Sequence, residues 1–279
     1  MSDKVIKMLI FDGNSNGLIM SELSGWKGRV YKVSRNELGS LGSRSDAEHT
    51  GIYFLFGKND DNDDTIYIGE AEKIFKRLKQ HLSEDNYWTE CVIVISNDNS
   101  LNKAHVKYLE NEFYELAKKS SSINGFSVVN NTIPTRASID EYDLAMLQDF
   151  IDNTRLLVNA LGYKVFNDIN NNLTRNDMFY INAARGAVAS GTLTARGFVV
   201  FNGSTISDST APSISPSLLK LRVELVNKGI ISKDNVFTKD YAFTSPSLAA
   251  AVVMGRNANG RTEWRTKEKK SLKEIEEKI

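Results

Sequence analysis

Five residues of this chain have types and order that fit one kind of chemistry: Tyr53, Tyr67, Arg77, His81 and Glu110. Phenol and imidazole groups exchange protons. A guanidinium presents a permanently charged fork to non-bridging oxygens, a task lysine performs less well. A glutamate carboxylate suits a hard cation such as Mg2+. Brought together, such groups could exchange protons beside a metal ion and a bound anion. Each residue alone has a blander reading. Arg77 by itself fits a solvated basic face, and His81 a histidine near a helix C-terminus. Glu110 by itself fits a salt bridge to Lys107 or to a neighbouring helix.

The elements that must position these groups are legible around them. The runs GIYFLF from Gly51 and TIYIG from Thr65 are strand-like, and the stretch between them, Gly57 to Asp64, is nearly all loop-formers. An antiparallel hairpin is predicted, with two tyrosines and two glycines brought close. A helix is predicted from Glu72 to His81, with Ile74, Phe75 and Leu78 on one stripe and Lys73, Lys76, Arg77, Lys79 and His81 away from it. Arg77 and His81, one turn apart, share a face. Packing of that helix on the hairpin would converge Tyr53, Tyr67, Arg77 and His81. Cys91 to Ile95 reads as a buried strand. A helix from Asn102 to Lys119 carries Glu110 beside its apolar stripe, where a carboxylate is expensive to bury unless paired or bound to a metal.

A further helix is predicted to start at the capping-box pattern Ser138-Ile139-Asp140-Glu141 and to stop at Gly162. The expected fold class is α+β: a small antiparallel sheet flanked by helices over 49–166, preceded by a β-rich N-terminal extension over 1–48. The asparagine-rich stretch 167–178 reads as a linker, followed by a second small α+β domain over 179–279. There, strands are expected at Phe179–Ile181 and Phe198–Phe201. Helices are expected to open at Ser215-Pro216 and Ser245-Pro246 and to end before Gly229 and Gly255.

Taken together, Gly51-Ile52-Tyr53, Tyr67-Ile68-Gly69, Arg77, His81 and Glu110 resemble the GIY-YIG nuclease superfamily, over about residues 49–135. The resemblance implies a Mg2+-dependent (or Mn2+-dependent) endonuclease that hydrolyses DNA phosphodiester bonds by a one-metal mechanism. In it Glu110 is the metal ligand, Tyr53, helped by His81, the general base, Tyr67 the group orienting water or phosphate, and Arg77 the phosphate clamp. The superfamily's asparagine falls on Asn130 or Asn131, of which Asn131 is preferred. Lys73, Lys76 and Lys79 are candidates to steer nucleic-acid phosphates, or else a solvated helix face. The alternative reading is a catalytically weak nucleic-acid-binding or scaffolding protein on the same fold. FVVFNGS, LRVELVNKGI, FTSPSLAAAVVMGR and NGRTEW resemble an uncharacterised bacterial domain often found C-terminal to a GIY-YIG domain, over about residues 195–275. It would contact DNA or a protein partner.

Composition narrows the alternatives. With 35 Lys and Arg against 35 Asp and Glu, the chain is not a purely electrostatic nucleic-acid binder, although a local basic patch is compatible. One cysteine, Cys91, excludes an internal disulfide and a thiolate zinc site, and its apolar run predicts an inert buried thiol in a reducing compartment. No apolar run approaches membrane-spanning length and no leader pattern is present, so a cytoplasmic location without membrane contact is expected. The acidic run Asp60 to Asp64 lacks the glycine of a calcium loop. His49 and His105 have no partner at metal-ligand spacing. Trp264, among basic residues, is expected to be packed and followed by a solvated helix.

Overall fold

The computed structural model describes residues 3–60, 62–84, 87–166, 178–194 and 197–277. The chain divides into two compact units, one built from residues before 168 apart from 122–124, the other from the residues that follow. Apart from Met178, the stretch predicted as a linker lies outside the described residues. No helix among the described residues is long and apolar enough to cross a membrane.

The first unit is built on β1 (Ile6–Ile10), β2 (Ile19–Leu23), β3 (Gly28–Ser34), β4 (Gly51–Lys58), β5 (Asp64–Ala71), β6 (Trp88–Ser96) and β7 (Phe126–Val128), with α1 (Ile74–Glu84), α2 (Lys103–Asn124) and α3 (Glu141–Ala160). All seven strands join one sheet in the order β1-β2-β3-β6-β4-β5-β7. The α+β class is as expected, but the sheet is neither small nor wholly antiparallel. β7 runs parallel to β5, pairing Phe126–Val128 with Asp64–Ile66. Residues 1–48 contribute β1 to β3 to this sheet, β3 pairing with β6 along its whole length, Gly28 opposite Ser96 through Ser34 opposite Glu90.

Both faces of the central strands are covered, which explains why GIYFLF and CVIVI are continuous apolar runs rather than alternating ones. On one face, Ile52, Phe54, Phe56, Val92 and Val94 pack with Val106, Leu109 and Phe113 of α2 and Leu147, Phe150 and Ile151 of α3. On the other, Tyr53, Leu55, Cys91, Ile93 and Ile95 pack with Ile74 and Leu78 of α1 and with Leu38, Leu41 and Ala47 from short 3-10 segments. Cys91 is fully buried, and burial raises its thiol pKa far above the usual range. α3 is capped by Asp140, whose side chain accepts from Asp143 N, rather than by Ser138. Both residues suit the position, and the predicted box had rested on Glu141, which is instead the first helical residue.

The second unit carries β8 (Met178–Asn182), β9 (Val188–Thr194), β10 (Gly197–Val200) and β11 (Tyr241–Phe243) in an antiparallel sheet of order β11-β10-β9-β8. Helices α4 (Pro216–Asn227), α5 (Pro246–Met254), α6 (Gly260–Glu263) and α7 (Leu272–Glu276) complete it. The two Ser-Pro starts behave as predicted, with Ser215 and Ser245 accepting from the backbone N–H of Leu218 and Leu248. Trp264 is fully buried, its ring 4.3 Å from that of Phe198 and its Nε1 donating to Pro246 O at 3.0 Å. That anchors the C-terminal segment to the core. Arg222 is also buried, donating to Ser207 O at 2.7 Å and to Val252 O near the end of α5.

Candidate active site

The hairpin of β4 and β5 places Tyr53 directly opposite Gly69. A Cβ on Gly69 would lie 2.4 Å from the Tyr53 ring and hydroxyl, so only glycine lets the ring lie flat across β5. Gly51 is constrained in the same way, since a Cβ there would lie 2.4 Å from Val94 O. The two glycines flanking the tyrosines are thus steric requirements of this sheet.

Tyr53 and Tyr67 fall on the face covered by α1, their ring centroids 6.2 Å apart and near parallel. α1 packs Ile74 and Leu78 inward, and the same rotation brings His81 onto the tyrosines. The His81 ring centroid is 5.4 Å from each tyrosine ring, and its Nε2 is 2.8 Å from Tyr53 Oη. Arg77, one turn earlier, is half-buried and donates to Gln80 Oε1 at 2.9 Å, and its charge acts at both tyrosine hydroxyls. Tyr53, Tyr67, Arg77 and His81 therefore converge. Burial raises the pKa of both tyrosines, and for Tyr53 the neighbouring phenol of Tyr67 adds to it, while the Arg77 charge opposes the rise in each. Both hydroxyls are protonated at neutral pH in the ligand-free chain.

Glu110 approaches from α2. Its charge is felt at both tyrosine hydroxyls. Burial, and then the charge of Glu70, push its carboxyl up to about 7 against the opposing pull of Lys103 and Lys107. Glu70 follows Gly69 immediately on β5, is engaged by Lys103 Nζ at 2.8 Å, and was not singled out in the sequence. Strand alternation held the signal, since Glu70 shares the side of Ile66 and Ile68 that faces α2.

The two candidate asparagines have different settings. Asn130 uses both ends of its amide on Ile68, accepting from its N–H at 3.0 Å and donating to its carbonyl at 2.7 Å. It continues the pairing begun by β7 and closes the edge of β5 within the Tyr67-Ile68-Gly69 tripeptide. Asn131 is exposed and lines a cleft of about 1420 Å³. Tyr67, Arg77 and His81 line the same cleft, as do Glu90 and Tyr163, whose hydroxyl donates to Glu90 at 2.6 Å. Tyr53, only 1% exposed, and Glu110 are not part of its wall. The charge of the cleft is mixed, since Lys58 and Arg77 face Asp60, Asp64 and Glu90. Lys73, just before α1, and Lys76 and Lys79 on it are exposed outside the cleft wall, and Lys79 Nζ sits 4.4 Å from the Phe75 ring centroid.

The other histidines have structural partners. His49 Nδ1 meets Ser96 O at 3.0 Å, and His105 closes a capping box at the start of α2 while meeting Asp143 Oδ2 at 2.7 Å. The acidic turn before β5 is held by its own contacts, Asn59 Oδ1 accepting from Asp63 N at 2.8 Å and Lys58 pairing with Asp64. Among the described residues there is no group of three or more His, Cys, Asp or Glu side chains that could hold a metal ion. A site with a single protein carboxylate, completed by water and phosphate, falls outside that description.

Compared with known proteins, no curated protein and no solved structure matches this chain. Residues 179–276 do match a family, described as a domain of unknown function (DUF4357), so the second unit carries an uncharacterised domain of that kind.

Proposed function

We propose that the chain is a Mg2+-dependent endonuclease of the GIY-YIG type, with the first unit as its catalytic domain and DNA as its substrate. The observation carrying this reading is the 2.8 Å contact between Tyr53 Oη and His81 Nε2, set beside Tyr67 and Arg77 at the cleft wall. A polar cluster of this kind is expensive to desolvate and adds little to a core already filled by aliphatic side chains.

The donor chemistry fits a divalent cation at Glu110. Its carboxyl is raised to about 7 by burial and by Glu70, a cost that a bound cation would remove. Mg2+ or Mn2+ held by Glu110 would supply Lewis-acid polarisation of a phosphate oxygen. The residues of the chain do the rest. Arg77 grips the non-bridging oxygens and holds the phosphorus in line. The attacking water loses its proton to the Tyr67 oxygen as its own oxygen bonds to phosphorus, and Tyr67 passes its hydroxyl proton on to the Tyr53 oxygen. Tyr53 passes its own proton to His81 Nε2, so the phenol acts as a base without a standing phenolate. The bond from phosphorus to the leaving oxygen breaks, and that oxygen takes its proton from solvent.

The mixed charge of the cleft favours a second reading, in which the same surface binds nucleic acid or a protein and turns over poorly. Incubating wild type and Glu110→Ala with plasmid, single-stranded and branched DNA, in Mg2+ or in EDTA, separates the two. Mg2+-dependent cleavage lost in the variant is expected. Cleavage of none of these DNAs would favour the binding reading, and equal cleavage by the variant would remove Glu110 from the mechanism. The second unit would position DNA or bind a protein partner.

A further inference from the structure

The two edges of the large sheet are treated differently. At one end β7 and the Asn130 amide cover β5. At the other, among the described residues, β1 pairs only with β2. Natural edge strands are usually blunted by proline, bulges or charge. β1 has none of the first two, and Lys7 is the sole charge between Val5 and Ile10. Its side chains are apolar and outward on both faces: Val5 is 61% exposed, Met8 47%, Leu9 49% and Ile10 42%. We propose that β1 is a self-association edge, pairing antiparallel with β1 of a second copy of this chain about a two-fold axis at Met8.

Backbone parity limits the registers, and charge selects among them. Val5 O accepts from Ser24 N and Phe11 N donates to Leu18 O, so the odd residues direct their polar groups to β2. The N–H and C=O groups of Ile6, Met8 and Ile10 therefore point outward. Centring the axis on Met8 sets Met8 against Met8 and Ile6 against Ile10, and each hydrogen-bonded pair exchanges two bonds. Lys7 then faces Leu9 of the other copy and no like charges meet. Centring on Lys7 would keep the outward backbone groups paired, Ile6 with Met8 of the other copy, but would oppose two ammonium groups. A shift towards Ile10 runs into Asp12 and Gly13, whose φ values of 55° and 64° end the strand. In the Met8-centred register the sequence of β1 thus pairs its outward backbone groups, opposes no like charges and stays clear of the strand end.

Sedimentation of the full chain over about 1 to 100 µM should show a monomer–dimer equilibrium. Met8→Lys, at a half-exposed position the fold tolerates, should weaken the dimer about tenfold or more by opposing two charges at the axis. Register is read by mild oxidation of Met8→Cys. Across a hydrogen-bonded antiparallel pair the Cα atoms lie about 5.5 Å apart, within disulfide range. Met8→Cys should couple to itself, while Ile6→Cys, about 13 Å from its own copy, should not. Cys91 is fully buried and stays out of the reaction. A monomer at every concentration, a Met8→Lys dimer as tight as wild type, or equal coupling by Ile6→Cys would overturn the proposal.

Discussion

Replacing Glu110 by glutamine should stabilise the metal-free protein at neutral and alkaline pH, and only there. The carboxyl is raised from an ordinary 4.5 to about 7 by burial and by Glu70, so the fold prefers it neutral. Below pH 4.5 the carboxyl is protonated in both folded and unfolded chains, and the substitution changes little. Between pH 4.5 and 7 the unfolded chain gives up this proton while the folded chain keeps it, so stability falls across that window and levels off once the folded carboxyl also ionises above 7. At about 1.4 kcal/mol per tenfold change in proton affinity, the full penalty is roughly 3 kcal/mol. Glu110 is only partly buried, so solvent screening reduces this to about 1–2 kcal/mol. For a unit of this size that corresponds to roughly 2–8 °C in melting temperature. Thermal melts of wild type and Glu110→Gln in EDTA, from pH 4.5 to 8.5, measure it directly. The difference should open between pH 5 and 7 and then level off. Mg2+ should restore about 1.4 kcal/mol to wild type at a concentration tenfold above its dissociation constant, and nothing to the variant. A difference independent of pH, or a variant less stable than wild type at pH 8, would refute the reasoning.

Other substitutions test the frame around the site. Gly69→Ala would drive a methyl into the Tyr53 ring, 2.4 Å away, and should cost about 1–3 kcal/mol in chemical denaturation. A variant as stable as wild type would show that the close approach is not a constraint. Trp264→Ala in the second unit removes a fully buried indole, with an expected loss of about 3–5 kcal/mol. Arg222→Ala leaves Ser207 O and Val252 O without their donor, and should lower stability by about 1–3 kcal/mol in the same assay.

What was legible in the sequence was what local pattern controls. The GIYFLF and TIYIG strands, the helix bearing Arg77 and His81, and the two Ser-Pro helix starts are set by apolar periodicity and capping chemistry. What was not legible depends on distant pairing. Nothing near Gly28–Ser34 announces β6 as its partner, so the N-terminal strands read as an extension. β7 is only three residues long and gains its identity from β5. β9 was missed because VASGTLT is small and polar, its Gly191 required by the approach of Val199 O, 2.3 Å from a would-be Cβ. At the site, residue types suggested which side chains converge but not their depth. Tyr53 lies beneath the cleft wall rather than in it. The role of Asn130 as a surrogate strand residue for Ile68 could not be read without the register.

The central claim is that the Tyr53–His81 pair and Glu110 serve phosphodiester hydrolysis. Its most direct test is the initial rate of supercoiled plasmid nicking in Mg2+ by wild type, Tyr53→Phe and Glu110→Gln, each shown to be folded by its melt. Removing a proton-transfer group or the metal carboxylate should lower the rate by about a hundredfold or more. Nicking by both variants at the wild-type rate would contradict the account.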